Sequence, residues 1–273
     1  MTKSKKIYND SITVELITWG QGHRYKVNDK WLKNSSTGVT GLLDKPALKF
    51  WACNMMELEL LDFLQQNPTP SREEFIEAIE KSKSAHRKAS TKAKDIGSMV
   101  HEWAELYAKF KLGMNEEPAI PKGKTEVDEK LRNGIIAFKT WIEEYDITFV
   151  DAERLVYSKK HKYGGLMDCK FRFGKEKIVH CGDYKAGSFE VVKDRAGNVI
   201  KEQPYKEHRM QVASYSSADI EECDDKYGND WIMYFGKEDG EFRAFELTNR
   251  KDDYQAFLGL LKVKKWIDKI KKQ

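Results

Sequence analysis

The sequence predicts a mixed α/β fold, in which a helical N-terminal lobe precedes a core ordered helix, three strands, helix and further strand (α-β-β-β-α-β). Three observations predict it. Apolar residues recur at helical spacing within 46–110 and again over 131–145. From 149 the pattern turns to short strand-like runs rich in Phe, Val, Ile and Tyr. A helical pattern around Gln211, two strands near 231–235 and 242–247, and a C-terminal helix through Leu260 and Trp266 complete the chain. The 273 residues are read as one domain, with 1–124 as the lobe and 125–273 as the core.

Residues 1–45 read as irregular or β-rich and end in a Ser/Thr/Gly stretch, 35–41. Pro46 suits the first turn of a helix carrying Leu48, Trp51, Met55, Leu58 and Leu61, and Pro68 and Pro70 end it. Ser71 with Glu74 forms a capping box. The helical material behind it breaks near Ser84 and continues through His101 to about Phe110. A Gly/Pro/Lys loop over 113–124 separates this from the next helix. There is no internal repeat or low-complexity tract.

Composition sets the limits. At 40% hydrophobic and 12% aromatic the chain has material for an ordinary core, and its formal charge of +4 is only mildly basic. Any nucleic-acid role therefore rests on local clusters. Lys81, Lys83, Arg87, Lys88, Lys92 and Lys94 lead toward His101, and Lys159, Lys160 and Lys162 lead toward Asp168. Such runs are either solvated faces or tracks for a phosphate backbone. No apolar run approaches the roughly 20 residues of a membrane span, and the basic N-terminus lacks the apolar core of a signal peptide. A cytoplasmic protein is expected. Cys53, Cys169, Cys181 and Cys223 contain no C-x-x-C pair and read as reduced thiols.

The chemistry concentrates in Gly164-Gly165-Leu166-Met167-Asp168 and Asp183-Tyr184-Lys185. Phe171 and Phe173 precede the turn-like segment 174–177, and Ile178, Val179 and Tyr184 follow it, so the two motifs belong to one hairpin. Centring the turn between Lys175 and Glu176 sets Asp168 opposite Asp183. Opposed carboxylates with Cβ atoms about 5 Å apart destabilise a sheet unless a counter-charge sits between them. A divalent cation meets that need. Lys185, two residues past Asp183, shares its face, and Tyr184 takes the other. Two carboxylates and an ammonium suit phosphodiester cleavage with Mg²⁺ or Mn²⁺. The plain alternative is a solvated hairpin carrying scattered charges.

Upstream lies Gly97-Ser98-Met99-Val100-His101, and downstream Gln211 and Tyr215 form Q-x-x-x-Y. In the order G-x-x-V-H, G-x-x-D, D-x-K, Q-x-x-x-Y, the chain resembles the RecB-like branch of the PD-(D/E)XK nuclease superfamily. Within that branch it is similar to phage recombination exonucleases and the mitochondrial genome-maintenance exonuclease. The resemblance implies a restriction-endonuclease-like fold whose α-β-β-β-α-β core carries a helical lobe, with a metal-dependent DNA exonuclease activity. It implies His101, Asp168, Asp183 and the Tyr184 carbonyl as metal ligands and Lys185 as the catalytic lysine. Gln211 and Tyr215, one helical turn apart, would brace the site or contact the DNA backbone. Lys88 and Lys92 are the phosphate contacts selected for a strand led toward His101. DNA with a free end is the expected partner, beside a single-strand annealing or recombination protein, in a bacterial host cytoplasm if the chain is of phage origin.

Departures from the family pattern are small. Met167 stands where the superfamily name has proline, and Ala186 where relatives often have serine or threonine. An iron–sulfur cluster is not expected, because only Cys223 follows Lys185. A zinc peptidase would need a second histidine where Glu105 stands. Glu153 is either a supplementary acid or a strand-edge charge. Two other readings stay open: a structure-specific or restriction-type endonuclease, and a catalytically silent DNA-binding accessory protein.

Overall fold

The computed structural model describes residues 2–20 and 22–271. The chain is a mixed α/β protein that divides into two compact units, Leu43–Ser98 and the combination of Met1–Leu42 with Met99–Gln273. The border differs from the expected division at 124, and the described residues before 32 carry four strands and not part of a helical lobe. Alternation explains this: along Ile12, Val14 and Leu16 every second residue is buried, the period of a half-buried strand. Strands β1 (Thr2–Ile7), β2 (Ile12–Trp19), β3 (Gly22–Val27) and β4 (Lys30–Trp31) form an antiparallel sheet in that order. Its inner face packs with Leu155 and Tyr157. The Ser/Thr/Gly stretch that follows is a short helix, α1 (Ser36–Thr40), capped by Ser35 accepting from the Gly38 amide.

In the smaller unit, α2 (Pro46–Gln66) opens at its proline as expected and α3 (Arg72–Ser82) starts at the Ser71–Glu74 capping box. The helix α4 (Ala85–Lys111) begins after the break at Lys83 and Ser84. The expected apolar stripe of α2 is not a buried face. Leu48, Leu58 and Leu61 are exposed, and none of the helix's 21 residues is buried.

The larger unit continues with α5 (Glu126–Glu144), β5 (Ile147–Ser158), β6 (Tyr163–Phe173) and β7 (Val179–Lys185). A small hairpin of β8 (Glu190–Lys193) and β9 (Val199–Gln203), absent from the sequence expectation, leads into α6 (Lys206–Ile220). Then come β10 (Tyr227–Phe235), β11 (Phe242–Leu247) and α7 (Arg250–Ile270). The five-stranded sheet has the order β11-β10-β7-β6-β5, with β10 parallel to β7 and every other pair antiparallel. A parallel pair needs a long crossover, and α6 lies within it. One face of the sheet joins α5 and the end of α4 in an aromatic core around Phe138, Trp141, Phe171, Tyr184 and Phe235. The other face receives α6. Among the described residues, no helix is long and apolar enough to cross a membrane.

Buried charge joins α6 to the sheet. Asp219, fully buried, accepts from Arg154, from Lys170 at 2.8 Å and from the Tyr227 hydroxyl. Arg154 also meets Glu222, and Lys170 meets Asp225. Each buried charge thus has an opposite partner, the condition under which burial is tolerated.

Candidate active site

The hairpin of β6 and β7 has the register expected from its turn. Phe171 pairs with His180, Lys170 with Cys181 and Cys169 with Gly182, and the ladder ends there. Beyond Cys169 the strands part company. β6 stays bonded to β5 as far as Tyr163, whereas Asp183, Tyr184 and Lys185 pair with Ile232, Met233 and Tyr234 of β10. The same register continued by one step sets Asp168 across from Asp183, at the root of the fork. Separation leaves the Tyr184 amide without a strand partner, and Asp168 Oδ2 accepts from it at 2.6 Å. A buried amide needs such a partner.

A second irregularity aims Asp168. Gly165 abuts Tyr215 of α6, whereas Cys169 packs in the α5 core. Strict alternation would keep 165, 167 and 169 on one face, so β6 changes face across Leu166–Met167–Asp168. Opposite this point on β5, Glu153 has a φ of +52° and makes no ladder pair with Asp168. Distortions of this kind re-aim side chains beside functional sites.

Four of the expected residues meet at the fork. Lys185 Nζ is paired with Asp183 Oδ2, while Tyr184 points into the aromatic core as its position between them requires. His101 of α4 lies edge-on to the Tyr184 ring, with Nδ1 3.9 Å from Asp168 Oδ2. Burial, then the charge of Asp183, pushes the Asp168 carboxyl well above the usual carboxylate range, against the pull of Lys185 and the Tyr184 amide. Burial, then Lys185, pushes His101 down to about 4, although Asp183 and the Tyr184 backbone act the other way. The imidazole is therefore neutral near pH 7 and keeps a lone pair. Asp183 Oδ2 is buried, and the ammonium of Lys185 is its counter-charge.

Oxygen donors and a neutral imidazole around a buried carboxylate fit a hard divalent cation. The fit is one of donor chemistry. Among the described residues, the set of three acidic, Cys or His ligand atoms lying within 4.8 Å of one another is Asp219, Cys223 and Asp225, not His101, Asp168 and Asp183. The Asp219 group is already saturated by Arg154 and Lys170.

Gln211 and Tyr215 lie one turn apart on α6, joined by a 2.8 Å bond from Gln211 Nε2 to the Tyr215 hydroxyl. Tyr215 is only 2% exposed. It packs against Gly165, and of the two roles expected for it, contact with the DNA backbone does not suit its burial. Burial, then Asp183, raises its hydroxyl pKa well above the ordinary value. The glycine is required: a Cβ at Gly165 would lie 2.3 Å from the Tyr215 ring and 2.9 Å from Ser36 Oγ. Gly165→Ala is expected to cost about 1–3 kcal/mol through overpacking, seen as a lower urea midpoint with an unchanged slope.

Two acids join the neighbourhood that motif reading passed over or left open. Glu105, one turn beyond His101, and Glu153 on β5 each lie 2.8 Å from Lys3 Nζ. Burial, then Glu105, raises the Glu153 carboxyl pKa, and the Glu153 charge in turn raises that of Asp168. Glu153 is thus an electrostatic neighbour of the site as well as a strand residue. The helical spacing from His101 was the available signal for Glu105. Lys3 had none, since its partners lie about 100 and 150 residues away.

Lys88 and Lys92 belong to the smaller unit, where Lys88 Nζ lies 3.3 Å from Glu59 of α2. That pairing engages one of the two cations selected for phosphate. No protein-family model matches the chain, and no curated protein matches it.

Proposed function

We propose that this protein is a metal-dependent DNA exonuclease of the RecB-like type in the PD-(D/E)XK superfamily, hydrolysing phosphodiester bonds from DNA ends in phage recombination, replication or repair. The observation that carries the reading is the forked hairpin, where Asp168, Asp183 and Lys185 converge beneath His101. The order α5-β5-β6-β7-α6-β10, with β10 parallel to β7, supports a restriction-endonuclease-like core.

Asp168, Asp183, His101 and the Tyr184 carbonyl would hold Mg²⁺ or Mn²⁺. Such an ion supplies Lewis-acid polarisation of the scissile phosphate. The chain's own contributions are distinct. Lys185, fixed by Asp183, holds a positive charge where the phosphate gains negative charge in the transition state. Asp168, anchored by the Tyr184 amide, keeps its orientation without a flexible partner. Gln211 and Tyr215 hold α6 against Gly165 and so preserve the geometry of β6.

The test is digestion of end-labelled linear DNA and of a covalently closed circle, with Mg²⁺, with Mn²⁺ and with chelator. Metal-dependent loss of the linear substrate with the circle spared is expected. Efficient cutting of the circle would replace exonuclease by endonuclease, and no cutting of either would favour a silent DNA-binding protein.

A further inference from the structure

Apart from the fork, the larger unit carries a strongly charged groove of about 1340 Å³. None of the candidate site residues lines it. Arg24, Lys30 and Lys33 come from β3, β4 and the segment after β4. Lys162 comes from the turn between β5 and β6, and Lys264, Lys265, Lys269 and Lys271 from α7 and its end. Against these eight cations the described lining holds one acid, Asp268, already bonded to Lys264 at 2.9 and 3.0 Å. The whole chain carries only +4, so this is a local concentration of charge. Like charges gathered in one concavity repel one another and favour a polyanion.

The groove is built on anchored elements. Lys265 Nζ donates to the His161 carbonyl at 2.9 Å, tying α7 to the β5–β6 turn. The Gly164 amide donates to the Asn34 carbonyl at 3.2 Å, tying the segment after β4 to the start of β6. Its walls also carry aromatic surface. Trp31 is 51% exposed, with Lys26 Nζ 5.0 Å from its ring centroid. Exposed lysines alternating with an open indole suit a strand whose phosphates meet ammonium groups while a base stacks. A duplex hides its base faces and gives Trp31 no partner.

We propose that this groove binds a single DNA strand, with its phosphates on the two lysine walls and a base on Trp31. The proposal deepens the nuclease reading and rests on it for its purpose. Gly164, bonded to Asn34 of the groove, precedes Asp168 on β6 by four residues, roughly 13 Å of strand, which sets this end of the groove near the fork.

The test is fluorescence anisotropy of a labelled oligothymidylate in chelator, where cleavage plays no part. The proteins compared are wild type, Lys30→Glu/Lys33→Glu, Lys269→Glu/Lys271→Glu and Trp31→Ala, each checked by circular dichroism. Each reversal is expected to weaken binding at least about tenfold and to flatten the log–log salt slope by about 0.7 for each phosphate that is no longer neutralised. Trp31→Ala is expected to weaken it at least about fivefold. The two walls are varied separately, so misfolding of one variant leaves the other decisive. Unchanged affinity and slope in the folded reversals would overturn the groove, and unchanged affinity in Trp31→Ala would overturn the single-strand assignment. Parallel digestion in Mg²⁺ separates the two readings. An inactive wild type whose binding still falls in the reversals rejects the nuclease and keeps the groove; an active wild type with indifferent reversals does the opposite.

Discussion

Asp183→Asn is expected to abolish metal-dependent DNA cleavage, with a loss on the order of 10³-fold or more, while the protein folds normally. The substitution keeps the side chain's shape and removes one anionic donor from the fork. The amide keeps an oxygen that can accept from Lys185, and Asp168 is relieved of the charge that helps to raise its pKa. The stability cost is therefore small, because relieved repulsion offsets the lost pairing with Lys185. Calorimetric titration with Mn²⁺ should show the binding weakened or gone. Lys185→Ala, in the same assays, should retain Mn²⁺ and DNA binding and lose about 10²–10³ in single-turnover rate, since its charge matters chiefly in the transition state. Undiminished Mn²⁺ binding in Asp183→Asn would sink the shared-ion arrangement, and near-normal turnover in Lys185→Ala would make the lysine a bystander.

Asp219→Ala is expected to lower folding stability by about 3–5 kcal/mol. The variant takes the fully buried partner from two cations: Arg154, whose side chain is 8% exposed, and Lys170, at 3%. Neither can reach bulk water without moving α6 or the sheet, and each keeps only more exposed partners, Asp151 and Glu222 for Arg154 and Asp225 for Lys170. Asp225 supplies the contrast. It also meets Lys170, at 2.7 Å, but its side chain is 36% exposed. Asp225→Ala should therefore cost no more than about 1 kcal/mol. Urea unfolding, followed by tryptophan fluorescence and by circular dichroism, compares the two. Equal midpoints for both variants would show that the buried network is not what joins α6 to the sheet.

Much of the site's local geometry was legible in the chain. The turn at 174–177 and the flanking aromatic residues set the hairpin register, and the observed ladder from Phe171–His180 to Cys169–Gly182 follows it. Two-residue spacing put Lys185 beside Asp183 and turned Tyr184 into the core. The Ser71 cap, the break at Ser84 and the pair Gln211–Tyr215 were equally local. The start of α5 was less visible, because its capping box uses Thr125 with the shorter Asp128 in place of Glu or Gln. The strands before residue 32 read only as irregular or β-rich because three tight turns at Tyr8–Asp10, Gly20 and Asn28–Asp29, all with positive φ, break the alternation into short pieces.

By itself, then, the sequence determined the order of the core elements from α5 to β7 and from α6 to α7, the hairpin register and the residue types at the fork, since turns, caps and alternation act over a few residues. Tertiary structure decided where β6 leaves β7, how Asp168 is turned toward the Tyr184 amide, and that Lys3 stands between Glu105 and Glu153. It also gathered Arg24, Lys162 and Lys269 into one groove. These outcomes depend on packing and on charges that meet across about 100 residues or more. Coulomb forces and desolvation act through space, and no window of sequence contains the distances on which they depend.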